Sequence, residues 1–492
     1  MEQGEKSLKS KTVGGIVWSF LERIASQVVS FIVSIVLARL LLPEQYGVVS
    51  LVTVIISIFN VFLTGSFSTA LIQKKDADET DFSSVFYFNI VFSLLLYGLV
   101  FLSAPLIASF YEYEQLVPVI RVMALSLIIS SIQSVQRSRV SRDMQFSRFF
   151  WSTLGATIVS AVIGIFMAYK GFGVWALVGH TLAGSVLNTA ILWFTVRWRP
   201  KRLFSFSRLR VLISFGWKVL LQNLLFTVYS DLRTLIIGKR YSTEDLAYYS
   251  KGRQFPNLLV NNINTAISSA LLPAMSRMQD DRTMLRNTVR RFVRTGSYIL
   301  MPMMAGLAVV AEPLVRLLLT EKWIACVPFI QLMCISHAFL PLQTANTQAV
   351  LASGRSDVTL ITEIIKRGSN ILIILITFRI SVMAMVIGEV ASSIISLTIN
   401  TVVSWRLFGY GTLAQLWDML PNICMSLVMG GCVYLITFIS MPILLELLVQ
   451  VIVGAALYLG LSAAFRVESF RYIRKFVRDL LQKRRHAPGT DA

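Results

Sequence analysis

The chain has 492 residues, 55% of them hydrophobic and only 15% charged, with a formal net charge of +20 and a mean hydropathy of +0.67. Soluble domains carry about a quarter charged residues, so this composition excludes a soluble globular fold and predicts a membrane protein. Nucleic acid is also excluded as the reason for the positive charge, because the basic residues are spread in clusters between apolar runs instead of forming one patch.

A helix needs about 20 apolar residues to cross the hydrocarbon. On that measure the spans fall at roughly 13–39, 46–72, 82–110, 116–136, 149–169 and 173–196, then 211–238, 246–275, 292–319, 324–352, 358–378, 382–404, 415–439 and 442–465. The first stretch is too long for a signal-peptide core, contains Glu22 and Arg23 and has no small-residue cleavage site, so it is expected to stay on the mature protein. No connection is long enough for a soluble domain. Three histidines and four cysteines give no metal or redox centre. His180 and His337 sit singly on spans and read as satisfied packing residues rather than proton carriers. Cys326, Cys334, Cys424 and Cys432 read as packing residues too.

Lysine and arginine set the orientation. One side collects Lys6, Lys9 and Lys11, then Lys74 and Lys75, the group from Arg137 to Arg148, and the group from Arg197 to Arg210. The run from Arg277 to Arg294, Arg355, Arg406 and the tail from Arg466 to Arg485 fall on the same side. The other side holds only Arg39, Lys170, Lys239, Arg240, Arg316, Lys322 and Arg379. Thirty-one cations against seven require an even number of spans with both termini in the cytoplasm. The basic tail is expected to anchor on the anionic inner surface.

Sliding the chain by 200 residues exposes a repeat. Arg23, Gln27, Ser30 and Ser34 on the first span match Asn223, Thr227, Ser230 and Thr234 on the seventh. Ser57, Thr64 and Ser68 on the second match Asn257, Asn264 and Ser268 on the eighth, and Arg39 and Glu44 match Lys239 and Glu244. Steps of three, four or seven residues place each row on one helical face. An even number of spans between copies gives parallel repeats. The expected all-α architecture is therefore an N-lobe over 1–200, a C-lobe over 201–408, two additional helices over 409–466 and a basic tail over 467–492.

Eight cations remain inside or near the ends of spans: Arg23, Arg121, Lys218, Arg233, Lys251, Arg253, Lys366 and Arg367. Each costs about 2.5–3.5 kcal/mol at a helix centre, so they are expected to face protein or water. The acidic residues at such depth are Glu22, Asp231, Glu363, Glu389 and Glu446. The polar rows, with Asn60 and Asn261 on theirs, would line a wet, cationic cleft between the lobes, suited to a diphosphate and a hydroxyl-rich sugar. Polar residues that merely join helices are the alternative. Glu363 lies three and four positions before Lys366 and Arg367 and can neutralise them. Asp231 and Arg233 can pair or close a gate, Glu389 is a further gate or coupling candidate, and Arg23 has no acidic partner on its own row.

The segments Lys11-Thr12-Val13-Gly14-Gly15-Ile16-Val17-Trp18-Ser19 and Leu37-Ala38-Arg39-Leu40-Leu41-Leu42-Pro43-Glu44-Gln45-Tyr46-Gly47 resemble the polysaccharide transport family of the MOP superfamily. Leu71 to Lys75, Tyr249 to Pro256, Leu272 to Ser276 and Glu321-Lys322-Trp323 extend the resemblance, nearest to the colanic-acid-exporter type of Wzx flippase. The resemblance implies a V-shaped pair of six-helix lobes plus two helices in the bacterial inner membrane. It implies no enzymatic activity and no cofactor; the cargo would be an undecaprenyl-diphosphate-linked oligosaccharide, moved from the cytoplasmic to the outer leaflet.

In related flippases the cleft is lined by the first, second, seventh and eighth spans. Arg23 and Arg39 fall where relatives carry arginines. The first span lacks an unpaired acidic residue of the kind with which drug-exporting relatives bind sodium or protons, so the resemblance leaves proton and sodium coupling both open. The expected partners are the lipid-linked oligosaccharide, membrane lipids, a polysaccharide polymerase and glycosyltransferases. A multidrug antiporter on the same fold calls for an acidic cavity, and a membrane glycan polymerase for a catalytic loop.

Overall fold

The computed structural model describes residues 2–64, 67–74, 76–279 and 281–485. Lys75, one of the orientation residues, lies outside them, and so do the side chains of Lys6, Lys9, Lys11 and residues 483–485. Every regular element of the described chain is a helix, with no strand among the described residues. Backbone polar groups in hydrocarbon must be satisfied within their own segment, which leaves helices as the solution for these sequences.

The first compact unit, Met1–Ser250, opens with α1 (Glu2–Leu40), α2 (Pro43–Thr64), α3 (Phe67–Gln73) and α4 (Glu79–Tyr111). It continues through α5 (Leu116–Met123), α6 (Leu125–Arg142), α7 (Ser147–Tyr169), α8 (Val174–Thr195) and α9 (Phe206–Arg240). It also takes in the first turns of α10 (Thr243–Ser276). The second unit, Lys251–Ala492, holds the rest of α10, α11 (Arg282–Val309), α12 (Ala311–Leu318), a 3-10 turn (Glu321–Cys326), α13 (Val327–Ala338) and α14 (Leu340–Ala352). Then come α15 (Ser356–Thr377), α16 (Val382–Phe408), α17 (Thr412–Ile436), α18 (Ile443–Ala464) and α19 (Glu468–Arg485).

Eleven helical segments among the described residues are long and apolar enough to cross a membrane, twelve if the bent pair Phe206–Ser214 and Gly216–Arg240 is one span. This is a multi-pass membrane protein. The eighth and eleventh expected spans coincide with α10 and α15, which have the length but are not among those segments. Asparagines on α10, and Glu363, Lys366 and Arg367 on α15, lower their hydropathy. The fourth expected span is two helices that meet at Ala124, and the tenth is the 3-10 turn with α13 and α14. The ninth starts ten residues earlier than expected, at Arg282, and ends at Val309. Arg286, Arg290 and Arg291 thus ride on the helix instead of preceding it.

The 200-residue repeat has an exact counterpart in the helix ends. α1 stops at Leu40 and α9 at Arg240, and α2 starts at Pro43 and α10 at Thr243. The turns match too: Leu42 N–H donates to Gln45 Oε1 at 3.1 Å, and Ser242 N–H to Asp245 Oδ2 at 3.3 Å. Gly47 sits where these turns meet. A Cβ there would lie 1.7 Å from the Thr243 carbonyl oxygen, so only glycine permits this approach of α2 to the start of α10.

Within the first unit α4 and α6 are joined by Asn89 Nδ2 to Ser134 Oγ and Ser93 Oγ to Ser131 Oγ, both 3.0 Å and buried. Such bonds let small polar residues hold helices together where lipid offers no hydrophobic drive. At the basic end Asp78 caps α4, accepting from the N–H groups of Thr80 and Asp81 at 3.0 Å, and pairs with Arg208 at the start of α9. That hydrogen-bonded guanidinium holds the Asp78 carboxyl down to about 2. Asp81, fully buried, takes Lys74 at 2.6 Å. At the other end Lys239 bonds Glu112 at 2.7 Å and holds its carboxyl below the usual range. The Tyr113 hydroxyl donates to Glu44 at 2.8 Å.

In the second unit Asp418 of α17 is a hub, with 6% of its side chain exposed. It accepts from Arg290 Nε at 2.7 Å, Arg294 Nε at 3.0 Å and the Tyr410 hydroxyl at 2.7 Å. Arg294 also reaches Glu468 at 2.7 Å, fastening α19 to α11. A cavity of about 530 Å³ lies beside this hub, lined by Arg294, Asp418, Cys424, Phe465 and Glu468 among others. Asn346, Gln415 and Ser404 form a buried amide–hydroxyl cluster joining α14, α16 and α17. Cys326 and Cys334 are buried, as expected of packing residues; Cys424 is exposed and Cys432 partly so. His180 packs against α7, where a Cβ on Gly164 would lie 2.7 Å from the His180 Cβ.

Candidate substrate-binding residues

Polar side chains concentrate on α10, and its packing explains their positions. A Cβ on Gly252 would lie 2.5 Å from the Phe329 Cβ and 3.3 Å from the Cys326 carbonyl oxygen. The missing side chain thus lets α10 settle on the start of α13. Lys251, 4% exposed, is held by Gln254 Oε1 at 3.2 Å and lies 5.7 Å from the centre of the Trp323 ring. Farther along, Asn257 Oδ1 meets His337 Nε2 at 2.9 Å, and Thr344 donates to Asn264.

Both pairs are 80 residues apart in sequence and step by seven on each side. The asparagine row therefore runs parallel to α13 and α14. Arg253 is half-buried and Asn261 exposed on the same helix. Around His337, Ser393 of α16 donates to the Ser336 carbonyl at 2.9 Å and accepts from Gln343 Nε2 at 3.1 Å. Glu389, one turn earlier on α16, acts electrostatically on the imidazole.

On α1, Arg23 is exposed and makes no hydrogen bond or ion pair among the described residues, and Gln27 is half-buried one turn on. Arg39 is exposed in the last turn, far along the helix from both. Asn60 of α2 is half-buried, and its Oδ1 is shielded without a hydrogen bond. On α9, Lys218 is exposed, Asn223 and Asp231 are half-buried, and Arg233 is buried at 9%.

Two predicted groups are engaged elsewhere. The Arg121 guanidinium stacks 4.2 Å from the centre of the Phe101 ring and donates to the Phe101 carbonyl at 3.3 Å, which fixes it between α4 and α5. On α15, Glu363 pairs with Lys366 and, at 3.5 Å, with Arg367, the self-neutralised arrangement that their spacing suggests. Sequence reasoning missed Thr344 and the role of His337 as a partner of the row. The matching seven-residue steps, 257 to 264 and 337 to 344, are the signal that could have found them.

The helical arrangement is the fold of the lipid II flippase MurJ, and a multidrug resistance MATE family transporter of the MOP superfamily shares it. The chain is similar to the lipid II flippase MurJ in its inward closed conformation, with a TM-score of 0.72, 16% identity, and 92% of this chain and 98% of MurJ covered. Residues 36–328 match the model of the polysaccharide biosynthesis protein family, and the chain belongs to that family. It is similar to the teichuronic acid biosynthesis protein TuaB of Bacillus subtilis, at 25% identity over 60% of this chain and 62% of TuaB. It is also similar to the lipopolysaccharide biosynthesis protein WzxC of Escherichia coli, at 22% identity over 81% of each chain. The match thus spans less than two thirds of TuaB's length and more of WzxC's.

Proposed function

We propose that the protein is a flippase that moves an undecaprenyl-diphosphate-linked oligosaccharide repeat unit from the cytoplasmic to the outer leaflet of the bacterial inner membrane, for surface polysaccharide synthesis. The observation that carries the reading is the α10 row: a guanidinium at Arg253 followed by amides at Asn257, Asn261 and Asn264 on a helix too polar to face lipid. Arginine suits a diphosphate and amides suit sugar hydroxyls. Membership in the polysaccharide biosynthesis family and similarity to WzxC and MurJ support the same cargo class. In this reading Arg23 and Gln27 on α1, Asn60 on α2 and Asn223 on α9 also contact the cargo, with Lys218 and Arg39 attracting its anionic group.

In this reading fourteen spans carry the chain, α10 and α15 included, with both termini in the cytoplasm and alternating access as the mode of transport. Residues 1–200 and 201–408 are the repeated lobes, 409–466 the extra pair and 467–492 the basic tail. A polymerase and glycosyltransferases act on either side of the step.

The test is complementation of a strain lacking its own flippase of this class, with protein level measured alongside. Arg23→Ala and Arg253→Ala each remove a charge-assisted contact, about 1.5–3 kcal/mol, and are expected to lower polymer output roughly tenfold or more. Undiminished output from both variants at normal protein level would overturn the assignment. A susceptibility panel that shifts on deletion while polymer output does not would favour a multidrug exporter instead.

A further inference from the structure

We infer that His337 is a proton-binding site whose charge state turns the amide of Asn257 and thereby sets the affinity of the α10 row for an oxyanion; this rests on reading that row as the substrate face. His337 Nδ1 lies 2.9 Å from the Met333 carbonyl oxygen, and a carbonyl oxygen only accepts, so Nδ1 carries a hydrogen in every charge state. His337 Nε2 lies 2.9 Å from the side-chain amide of Asn257.

When a proton from water adds to Nε2, both ring nitrogens donate, and Asn257 presents Oδ1 to the imidazolium. When Nε2 gives the proton back, its lone pair needs a donor, and the amide turns by about 180° to present Nδ2. Protonation therefore leaves the Asn257 NH2 group available to the rest of the row and adds a positive charge beside it. Both changes favour a bound phosphate oxygen. By reciprocity a bound anion raises the affinity for the proton.

Charged groups of both signs act on the ring. Glu389 of α16 supplies a counter-charge and Arg253 of α10 opposes it. Lys251, nearly two turns earlier on α10, is held at Gln254 and Trp323. α14 offers the uncharged Gln343 and Thr344, and the face of α11 toward α13 is apolar, with Met301, Met304 and Ala305. The charges of α12 and the 3-10 turn, Glu312, Arg316, Glu321 and Lys322, come before α13, whose start at Val327 is about 15 Å along the helix from His337. An imidazole titrates ordinarily near 6.5, within reach of physiological pH.

The chain has three histidines, so nitrogen-15 NMR of histidine-labelled full-length protein in nanodiscs can follow each, with H337Q providing the assignment. The expected result is that, as the pH is brought from about 8 to about 5, Nε2 of His337 takes up a proton while Nδ1 stays protonated, and that E389Q moves the midpoint to lower pH. A ring that stays neutral across that range, or a midpoint that E389Q leaves in place, would overturn the proton site.

The linkage is read with farnesyl-diphospho-N-acetylglucosamine, a diester whose own charge is constant over this range. Its affinity for the wild-type protein is expected to rise at least roughly fivefold from pH 8 to pH 6, and the H337Q protein to bind it with no pH dependence. Equal pH dependence in both proteins, or none in the wild type while the ring titrates, would overturn the coupling. Absence of binding at every pH would overturn the substrate reading of α10, and the NMR titration would still decide the proton site.

Discussion

At Gly47 a single missing carbon permits a helix contact. Since a Cβ there would overlap the Thr243 carbonyl, Gly47→Ala must push α2 or the start of α10 aside. We expect a loss of about 1–3 kcal/mol, read as a lower melting temperature of the purified protein. Gly98 on α4 is the control. Nothing lies within 4 Å of a Cβ built there, and alanine is the better helix former by about 1 kcal/mol, so Gly98→Ala should leave the melting temperature level or raise it. Asp418 makes the opposite case, of a group whose removal leaves its partners stranded. Asp418→Ala takes the common acceptor from Arg290, Arg294 and Tyr410. Because both arginines are partly solvated, we expect a loss of about 1–3 kcal/mol, not the full cost of breaking a buried pair.

Among the elements, what the sequence reveals depends on whether a signal is periodic or tertiary. The apolar runs announce the helices because hydrocarbon thickness fixes their length, and the repeat is legible to the residue in the helix ends at 40 and 240 and at 43 and 243. The Glu363, Lys366 and Arg367 cluster is legible as well, since pairs three and four apart on a helix face each other. Arg121 is not. Its partner is a ring and a carbonyl at Phe101, twenty residues earlier on another helix, and no local pattern distinguishes that cation from one kept for substrate. His337 marks the same limit: its place on an apolar segment reads as a satisfied packing residue, which its bonds to Met333 and Asn257 agree with, but no local pattern names Asn257 as the partner.

The molecule as a whole divides into two compact bodies, Met1–Ser250 and Lys251–Ala492. Charge orders the ends of the helices within each. The Asp78–Arg208 and Lys74–Asp81 pairs fasten the basic end of the first, and the Asp418 hub that of the second. If both ends face the cytoplasm, fusions of a reporter active only outside the cytoplasm should be dark after Ser205 and after Arg282 and bright after Lys170 and after Thr320. A bright fusion at Ser205 would break the topology of an even number of spans in the first half.

The cysteines give the same molecule a use in measurement. Cys326 and Cys334 are shut away, whereas Cys424 lines the cavity beside Glu468, the residue that fastens the last helix. A membrane-permeant thiol label should therefore enter the unaltered protein at the surface of α17 and spare the interior sulfurs. A label at Cys424 would place a reporter beside the contact between the terminal helix and Arg294.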